Sequence, residues 1–338
     1  MILRRLLILL VPILVWACSS EPQVQETEES VVAAPIDSVR ALVAQDSSNA
    51  QAFARLAILE LQGRDLKAAQ LAANTAIRLD SNDLYVLESF GDVFFVLNQT
   101  RKSRDSWTRC AELDEENVAC RLKLAELYFA VRSYSEALER LNEVLLIEGR
   151  NPNALFLKGN VYKEMGDTAN AATFIQAAID ANPEFFDAYE QLGVLYAAQG
   201  DSLAVVYYQK AIELQPNEPN IYYNLGVYHQ TQEQWNRALE AYSSAVQVDP
   251  KHFNSHYNMG YIHVLLSVWN QGAVHFTDAI NAKSDYYQAF YGRAYCFEML
   301  GDVKRAKEDY ERAVNMKVDY QPAREGLDRV ERTMSVGQ

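Results

Sequence analysis

The feature that most constrains this chain is a repeat with a period of 34 residues that begins at residue 50. The repeats start at residues 50, 84, 118, 152, 186, 219, 253 and 287, and the fifth is one residue shorter than the others. The eighth position of every repeat is Gly or Ala: Ala57, Gly91, Ala125, Gly159, Gly193, Gly226, Gly260 and Ala294. A fixed period of this length predicts a solenoid, in which each repeat packs on its neighbours.

Other columns of the repeat indicate that each one is a pair of helices. Positions 20 and 27, counted past the shortened turn of the fifth repeat, carry mostly Ala, and position 11 is aromatic or His in every repeat except the first, which has Glu60. Small residues let two helices approach closely, and large residues at positions 4, 7, 11 and 24 fill the remaining gaps. Turn signals lie in the middle of three repeats, at Gly166, Gly200 and Gly301.

These columns resemble the tetratricopeptide repeat. The match is closest in Leu192-Gly193-x-x-Tyr196, within a first helix, and in the run from Tyr208 to Pro216, within a second helix. The resemblance implies an all-α fold, a right-handed superhelical solenoid of eight helical hairpins with a capping helix at each end. The eight predicted repeats span residues 50–83, 84–117, 118–151, 152–185, 186–218, 219–252, 253–286 and 287–320.

The segments on either side of the repeats have compositions of their own. Residues 36–49 predict an N-terminal capping helix, and residues 321–338 predict a C-terminal capping helix and tail whose large apolar residues share one face. Residues 18–35 are polar, acidic and interrupted by proline, which predicts a flexible tether.

The N-terminus resembles a bacterial lipoprotein signal peptide over residues 1–17. Two arginines precede a short apolar stretch, which ends in Val15-Trp16-Ala17-Cys18. The resemblance implies lipidation of Cys18 and attachment to a membrane of the bacterial cell envelope. Trp16 departs from the pattern, and the alternative is an ordinary secretory signal in which Cys18 is incidental. Ser19 follows the cysteine instead of Asp, so the resemblance favours the outer membrane, on its periplasmic face or its surface.

The charge of the chain limits its partners. Acidic residues number 45 and basic residues 31, for a formal net charge of −14. Nucleic-acid binding needs clustered Lys and Arg, so we expect no nucleic-acid partner. No apolar run reaches the ~18 residues that span a bilayer as a helix.

The predicted groove is lined by first-helix positions 2, 5, 9 and 12, as the family resemblance implies. In the last three repeats these positions are rich in tyrosine: Tyr223, Tyr257, Tyr261, Tyr291 and Tyr295. Tyr257 and Tyr261 are four residues apart, as are Tyr291 and Tyr295, so each pair shares a helix face. Rigid amphipathic rings are good binding anchors.

The neighbouring residues Asn224 and Asn258 add amide groups that suit a peptide backbone. The alternative is that these tyrosines only pack between helices. Because carboxylates outnumber bases on this face, we expect a peptide ligand to be basic or aromatic rather than acidic.

No motif for catalysis, for a cofactor or for a small-molecule substrate is present in the sequence. We expect no metal site, because His252 lies in a turn and His256 and His263 are seven residues apart, about 10 Å along a helix. Cys110 and Cys120 flank one turn and are a candidate disulfide; the alternative is two buried thiols.

We therefore expect a non-enzymatic scaffold that is anchored to a membrane and binds a protein or peptide in its groove. The alternative is a structural subunit of an envelope complex that acts through oligomerisation or its convex surface.

Overall fold

The computed structural model describes residues 28–336, which form eighteen α-helices and no strand. The predicted all-α class is confirmed. In chain order the helices are α1 (Glu28–Gln45), α2 (Ala50–Gln62), α3 (Leu66–Leu79), α4 (Leu84–Val96), α5 (Thr100–Leu113), α6 (Val118–Ala130), α7 (Tyr134–Ile147), α8 (Pro152–Glu164), α9 (Thr168–Ala181), α10 (Phe186–Ala198), α11 (Leu203–Leu214), α12 (Pro219–Thr231), α13 (Trp235–Val248), α14 (Phe253–Leu265), α15 (Trp269–Ala282), α16 (Tyr287–Met299), α17 (Val303–Met316) and α18 (Gln321–Val336).

Each repeat is a helical hairpin, from α2 with α3 to α16 with α17, and each first helix starts at the residue that begins the predicted repeat. The chain divides into two compact units between Leu113 and Asp114. The first unit contains α1 to α5, with α1 packed on α2. The second contains α6 to α18, with α18 packed on α17.

From the second repeat onward, the core of the hairpin contains a large side chain at position 24 that faces small residues of the first helix. These side chains are all buried: Trp107, Leu141, Ile175, Tyr208, Tyr242, Phe276 and Tyr310. A Cβ atom at Gly193 would lie 2.5 Å from the Tyr208 ring, so glycine is what lets the ring close over the first helix. The column of Gly and Ala in the sequence therefore marks the closest approach of two helices.

Helix α1 begins at Glu28, eight residues before the Ile36 that we predicted, so residues 28–35 belong to a helix and not to the tether. The polarity of this segment and Pro35 indicated a tether, although Glu28, Glu29, Ala33 and Ala34 are residues that favour a helix. Within residues 28–336, no helix is both long and apolar enough to cross a membrane.

Glu60 is the one acidic residue at position 11, and the capping helix accounts for it. Arg40 on α1 donates through Nε and Nη2 to Glu60 Oε1, at 3.2 and 2.9 Å. The Glu60 carboxylate is buried, so it needs this charged partner. The first repeat thus replaces an aromatic contact with an ion pair to the cap.

The turn inside every hairpin has the same backbone geometry, although only three of the eight turns carry glycine. Gly166, Gly200 and Gly301 have positive φ, and so do the residues at the equivalent position of the other repeats, Arg64, Asn98, Arg132, Glu233 and Ser267. The φ of Glu233 is +55°, a left-handed conformation that costs a non-glycine residue roughly 1–2 kcal/mol.

Glu233→Gly should therefore raise the free energy of unfolding of its hairpin by about 0.5–1 kcal/mol, because relief of backbone strain exceeds the extra entropy of glycine. Gly166→Ala is the matched reverse variant, since its φ is +82° and no atom lies within 4 Å of the place that the new methyl group would take. It should destabilise its hairpin by about 1 kcal/mol. Thermal unfolding of both variants checks this; two shifts of the same sign would contradict it.

Candidate functional site

Four pairs of aromatic rings lie at the first helices of the second compact unit, and we call them the aromatic ladder. Each pair joins position 5 of a first helix to position 34, the last residue of the same repeat. The pairs, with their ring-centroid distances, are Phe156 with Phe185 at 4.9 Å, Tyr223 with His252 at 5.3 Å, Tyr257 with Tyr286 at 5.1 Å, and Tyr291 with Tyr320 at 5.4 Å.

The tyrosines of the ladder also contact the buried ring of their own hairpin. The centroid of Tyr223 lies 5.8 Å from that of Tyr242, Tyr257 lies 5.5 Å from Phe276, and Tyr291 lies 5.9 Å from Tyr310. Each ladder tyrosine is therefore held between a core ring and a loop ring, and remains half-buried. The rings pack inside their hairpins and keep part of their surface exposed, and their role as binding anchors stays a prediction.

The surroundings keep the tyrosine hydroxyls protonated. Burial raises the pKa of Tyr257 to about 12, with smaller contributions from Tyr286, Tyr261 and Tyr291. Burial also raises the pKa of Tyr286 and of Tyr320 to about 12. These phenols therefore stay neutral at neutral pH and offer hydroxyl groups that both donate and accept hydrogen bonds.

Two tyrosines predicted for the groove lie outside the ladder pairs. The Tyr261 residue is 41% exposed. Tyr295 is half-buried, and its ring meets the ring of Trp269 edge-on at 5.9 Å. Burial is the first cause of a raised pKa of Tyr291, and the Tyr295 hydroxyl raises it further. The structure therefore brings these two predicted residues close together.

The predicted amide groups have partners inside the protein. Asn258 Nδ2 donates to the Tyr242 hydroxyl at 3.0 Å, and that hydroxyl donates to Gln230 Oε1 at 2.8 Å. Asn224 Nδ2 donates to Glu190 Oε1 at 3.3 Å. Both side chains are half-buried, so they position neighbouring groups of the site.

The fifth repeat interrupts the ladder with acidic residues. Glu190 occupies position 5 and Glu218 occupies position 34, the two places that hold rings in the neighbouring repeats. Burial, then Asp187 and Glu218, raise the pKa of the Glu190 carboxyl. A cationic group placed here would relieve both the repulsion and the loss of hydration.

Position 34 is the part of the site that we did not predict from the sequence. In the first four repeat boundaries this position caps the next helix: Asn49, Asp83, Asn117 and Asn151 each accept a hydrogen bond from a backbone N–H at 2.9 Å. Farther along, Phe185 and Tyr286 make no side-chain cap. The change from Asn and Asp to aromatic residues in this column was the signal that marks the ladder.

The predicted cysteine sites have separate outcomes. Cys18 and the signal peptide at residues 1–17 lie outside the described residues. Cys110 and Cys120 are both fully buried, in different compact units, and their disulfide stays a prediction that mass spectrometry of the unreduced protein tests. Cys296 is a free, buried thiol whose pKa is raised by burial to about 12, which makes it a core residue.

A second groove lies between the second helices α11 and α13, with α12 beneath it. It is lined by Val205, Gln209, Ile212, Tyr222, Leu225, His229, Arg237, Glu240, Ala241 and Ser244. None of these residues belongs to the aromatic ladder. The protein therefore presents two distinct surfaces in this region of the second compact unit.

Family models of the tetratricopeptide repeat match four stretches of the chain. A model described as TPR repeat matches residues 202–232 and 231–267, and models described as tetratricopeptide repeat match residues 152–185 and 288–316. Together these ranges include most residues of the repeats that carry the ladder. The match at 152–185 has the bounds of the predicted fourth repeat.

Curated relatives are similar over part of their length. BBSome complex member BBS4 of Bos taurus is 26% identical over 172 residues, which cover 50% of this chain and 33% of that protein. Protein O-mannosyl-transferase TMTC3 of Homo sapiens is 26% identical over 165 residues, or 47% of this chain and 18% of that protein. The chain thus spans a third or less of the length of these two relatives.

A solved structure supports the fold over most of the chain. The C-terminal part of a TPR repeat-containing protein from Cytophaga hutchinsonii superposes with a TM-score of 0.61. It is 15% identical and covers 70% of this chain and 98% of that chain. At this level of identity the similarity shows the superhelical tetratricopeptide fold and nothing about ligands.

Proposed function

From the tetratricopeptide repeats that the chain contains, we propose a non-enzymatic scaffold that binds an extended peptide segment of another protein along the aromatic ladder. Solenoids of this kind present extended binding surfaces, and tetratricopeptide proteins generally serve protein interactions. The observation that supports the proposal is the fixation of each ladder tyrosine between two other rings. Rings that are held in place before binding lose little entropy when a ligand contacts them.

The spacing of the ladder suggests the form of the ligand. Adjacent first helices are about 10 Å apart, and an extended chain advances about 3.3 Å per residue. A peptide that runs along the ladder would therefore place an apolar or aromatic side chain on it at about every third residue. Glu190 and Glu218 favour a Lys or Arg at the level of the fifth repeat.

The exposed ring of Tyr261, one helical turn from Tyr257 of the ladder, gives the cleanest test of this surface. Tyr261→Ala should weaken capture of the partner about tenfold or more, since an aromatic anchor at the centre of an interface contributes about 2 kcal/mol. Leu146→Ala is the control, because Leu146 is 86% exposed but lies on α7, a second helix, and not at a groove position. Equal loss in both variants, or loss in neither, would remove the ladder from the proposal.

We propose that lipidation of Cys18 anchors this scaffold in the bacterial cell envelope, at the outer membrane. The support is the resemblance of residues 1–17 to a lipoprotein signal peptide, which includes Ala17 before the cysteine. A lipid anchor with more than one acyl chain is stable in a membrane. Cys18→Ala should move the protein from the membrane fraction to the soluble fraction, and an unchanged distribution would contradict the anchor.

A second candidate function is a structural subunit that uses the groove between α11 and α13. The observation that favours it is the apolar area that Val205, Ile212 and Leu225 contribute to the lining of that groove. Gln209, an exposed residue of the lining, gives the test: Gln209→Lys would then abolish assembly while Tyr261→Ala leaves it intact. The proposed ladder function predicts the opposite result for the two variants.

A further inference from the structure

The seventh repeat brings together three side chains that the sequence does not place side by side. His256 lies on the first helix, α14, and His275 and Asp278 lie on the second helix, α15, one turn apart. One potential ligand atom from each residue lies within 4.8 Å of the other two. The spacing of His256 from His252 and His263 along the chain predicted no metal site, whereas the hairpin supplies ligands from the opposite helix.

His256 is oriented as a metal ligand would be. The residue is 8% exposed, and its Nε2 lies 3.1 Å from the Pro250 carbonyl oxygen. A carbonyl only accepts, so Nε2 carries the proton and Nδ1 has a free lone pair. That Nδ1 is buried without a hydrogen-bond partner and lies 4.0 Å from Asp278 Oδ2. A backbone carbonyl on the far nitrogen is the usual support of a metal-binding histidine.

His275 supplies a second imidazole, which lies on α15 one turn from Asp278. Its Nδ1 is also buried and has no hydrogen-bond partner. The ring stacks on His263 with centroids 5.2 Å apart, which holds its orientation. Buried polar atoms without partners are rare and costly, and the one on His256 lies beside the Asp278 carboxylate, which indicates a ligand.

We propose that His256, His275 and Asp278 bind one divalent transition-metal ion, with Zn²⁺ as the ion that fits best. Two imidazoles and one carboxylate are a known set of protein ligands for zinc, with water or a partner group completing the site. Mg²⁺ and Ca²⁺ prefer oxygen ligands only, so this set selects against them. The bound ion would join α14 to α15 in the hairpin that carries Tyr257 of the ladder.

The distances are compatible with closure around an ion. Ligands at about 2.0–2.1 Å from zinc in a tetrahedron are separated by about 3.4 Å. No two of the three ligand atoms are more than 4.8 Å apart, so small side-chain rotations, including that of Asp278, bring them to this separation. The side chain is 43% exposed, so it can move and the ion can enter from solvent.

Calorimetric titration of ZnCl₂ into the full chain, without a histidine tag and after treatment with a chelator, tests the site. We expect one ion to bind per chain and the melting temperature to rise with it. His256→Gln, His275→Gln and Asp278→Asn should each weaken zinc binding at least about 10-fold to 100-fold. A loss of this size already follows when a residue that only hydrogen-bonds to a metal ligand is replaced. With Co²⁺ as the probe, visible absorption bands should report the same ligand set.

His229→Gln is the matched control, because it removes one histidine from the neighbouring repeat and leaves the three ligands in place. Asp278→Asn is expected to stay folded, since it is an isosteric change at a part-exposed position, so a loss of zinc binding in this variant reports on the site itself. Zinc affinity that is equal in the wild type and Asp278→Asn, or no binding to the wild type, would overturn the proposal. The site does not depend on the ladder, so Tyr261→Ala should retain zinc binding.

Discussion

Asp309→Ala is expected to destabilise the last hairpin by about 3–5 kcal/mol, because it leaves a buried guanidinium without its counter-charge. Arg293 Nε and Nη2 donate to the two carboxylate oxygens of Asp309 at 2.6 and 2.9 Å, and Nη1 donates to Thr277 Oγ1 at 3.1 Å. The side chains of Arg293 and Asp309 are only 15% and 5% exposed, so water cannot replace the lost partner.

Replacement of both charged residues separates loss of the ion pair from loss of packing. The double variant Arg293→Met, Asp309→Leu should regain most of the stability that Asp309→Ala loses, because replacing a buried ion pair by apolar groups costs little. Glu311→Ala is the control, since it breaks a surface pair with Lys307 on α17 and should change the stability of this hairpin little. Hydrogen exchange of α16 and α17 measures the local effect, and comparable loss in Asp309→Ala and Glu311→Ala would contradict a stabilising role of the buried ion pair.

Gly226→Ala is expected to destabilise the sixth hairpin by about 2–3 kcal/mol through overpacking. The new Cβ would lie 2.5 Å from Cε1 of Tyr242. The ring cannot turn aside easily, because it is fully buried and its hydroxyl is bonded to both Gln230 and Asn258. Either the helices separate or these two hydrogen bonds break.

Gly63→Ala is the matched control for this substitution. A Cβ there would be 3.5 Å from its nearest neighbour and the backbone φ is −71°, so the change should be neutral. Denaturant unfolding of the two variants compares them directly. If Gly226→Ala is as stable as Gly63→Ala, close helix approach is not what selects glycine at position 8.

The sequence predicted the fold well because the repeat reports the same packing contact many times. Gly193, Gly226 and Gly260 each face the large side chain at position 24 of their own hairpin, so one physical requirement recurs at a fixed spacing. Turns without glycine, as at Arg132 and Glu233, kept the same left-handed geometry because the surrounding helices determine it. We predicted that α1 begins at residue 36, eight residues after its start in the structure, because this helix lies outside the repeats and no repeated column marks its first residue.

The candidate site was only partly predictable, because its parts come from different helices. Tyr257 and Tyr291 were expected from the columns of the first helix. Their partners Tyr286 and Tyr320 lie in the loops between repeats, where a sequence pattern does not show which ring they will contact. Asn258 illustrates the converse, since its amide looked available in the sequence and is bonded to Tyr242 in the structure.

The histidines show the same limit more sharply. His256 and His263 are seven residues apart on one helix, and from that spacing we predicted that they do not bind a common metal ion. The hairpin instead places His275 and Asp278 next to His256 across two antiparallel helices. Contacts between helices of one repeat depend on the turn and on the axial register, which the sequence alone does not give.

Site-specific photo-crosslinking in cells tests the central claim, that partners bind along the aromatic ladder, most directly. A photoreactive phenylalanine analogue is introduced at Tyr261, or at Gln209 in the groove between α11 and α13, and the adducts are compared. We expect a discrete adduct from position 261 that Glu190→Gln weakens, and little from position 209. An adduct from position 209 alone, unaffected by Glu190→Gln, would contradict binding along the ladder and favour the structural subunit.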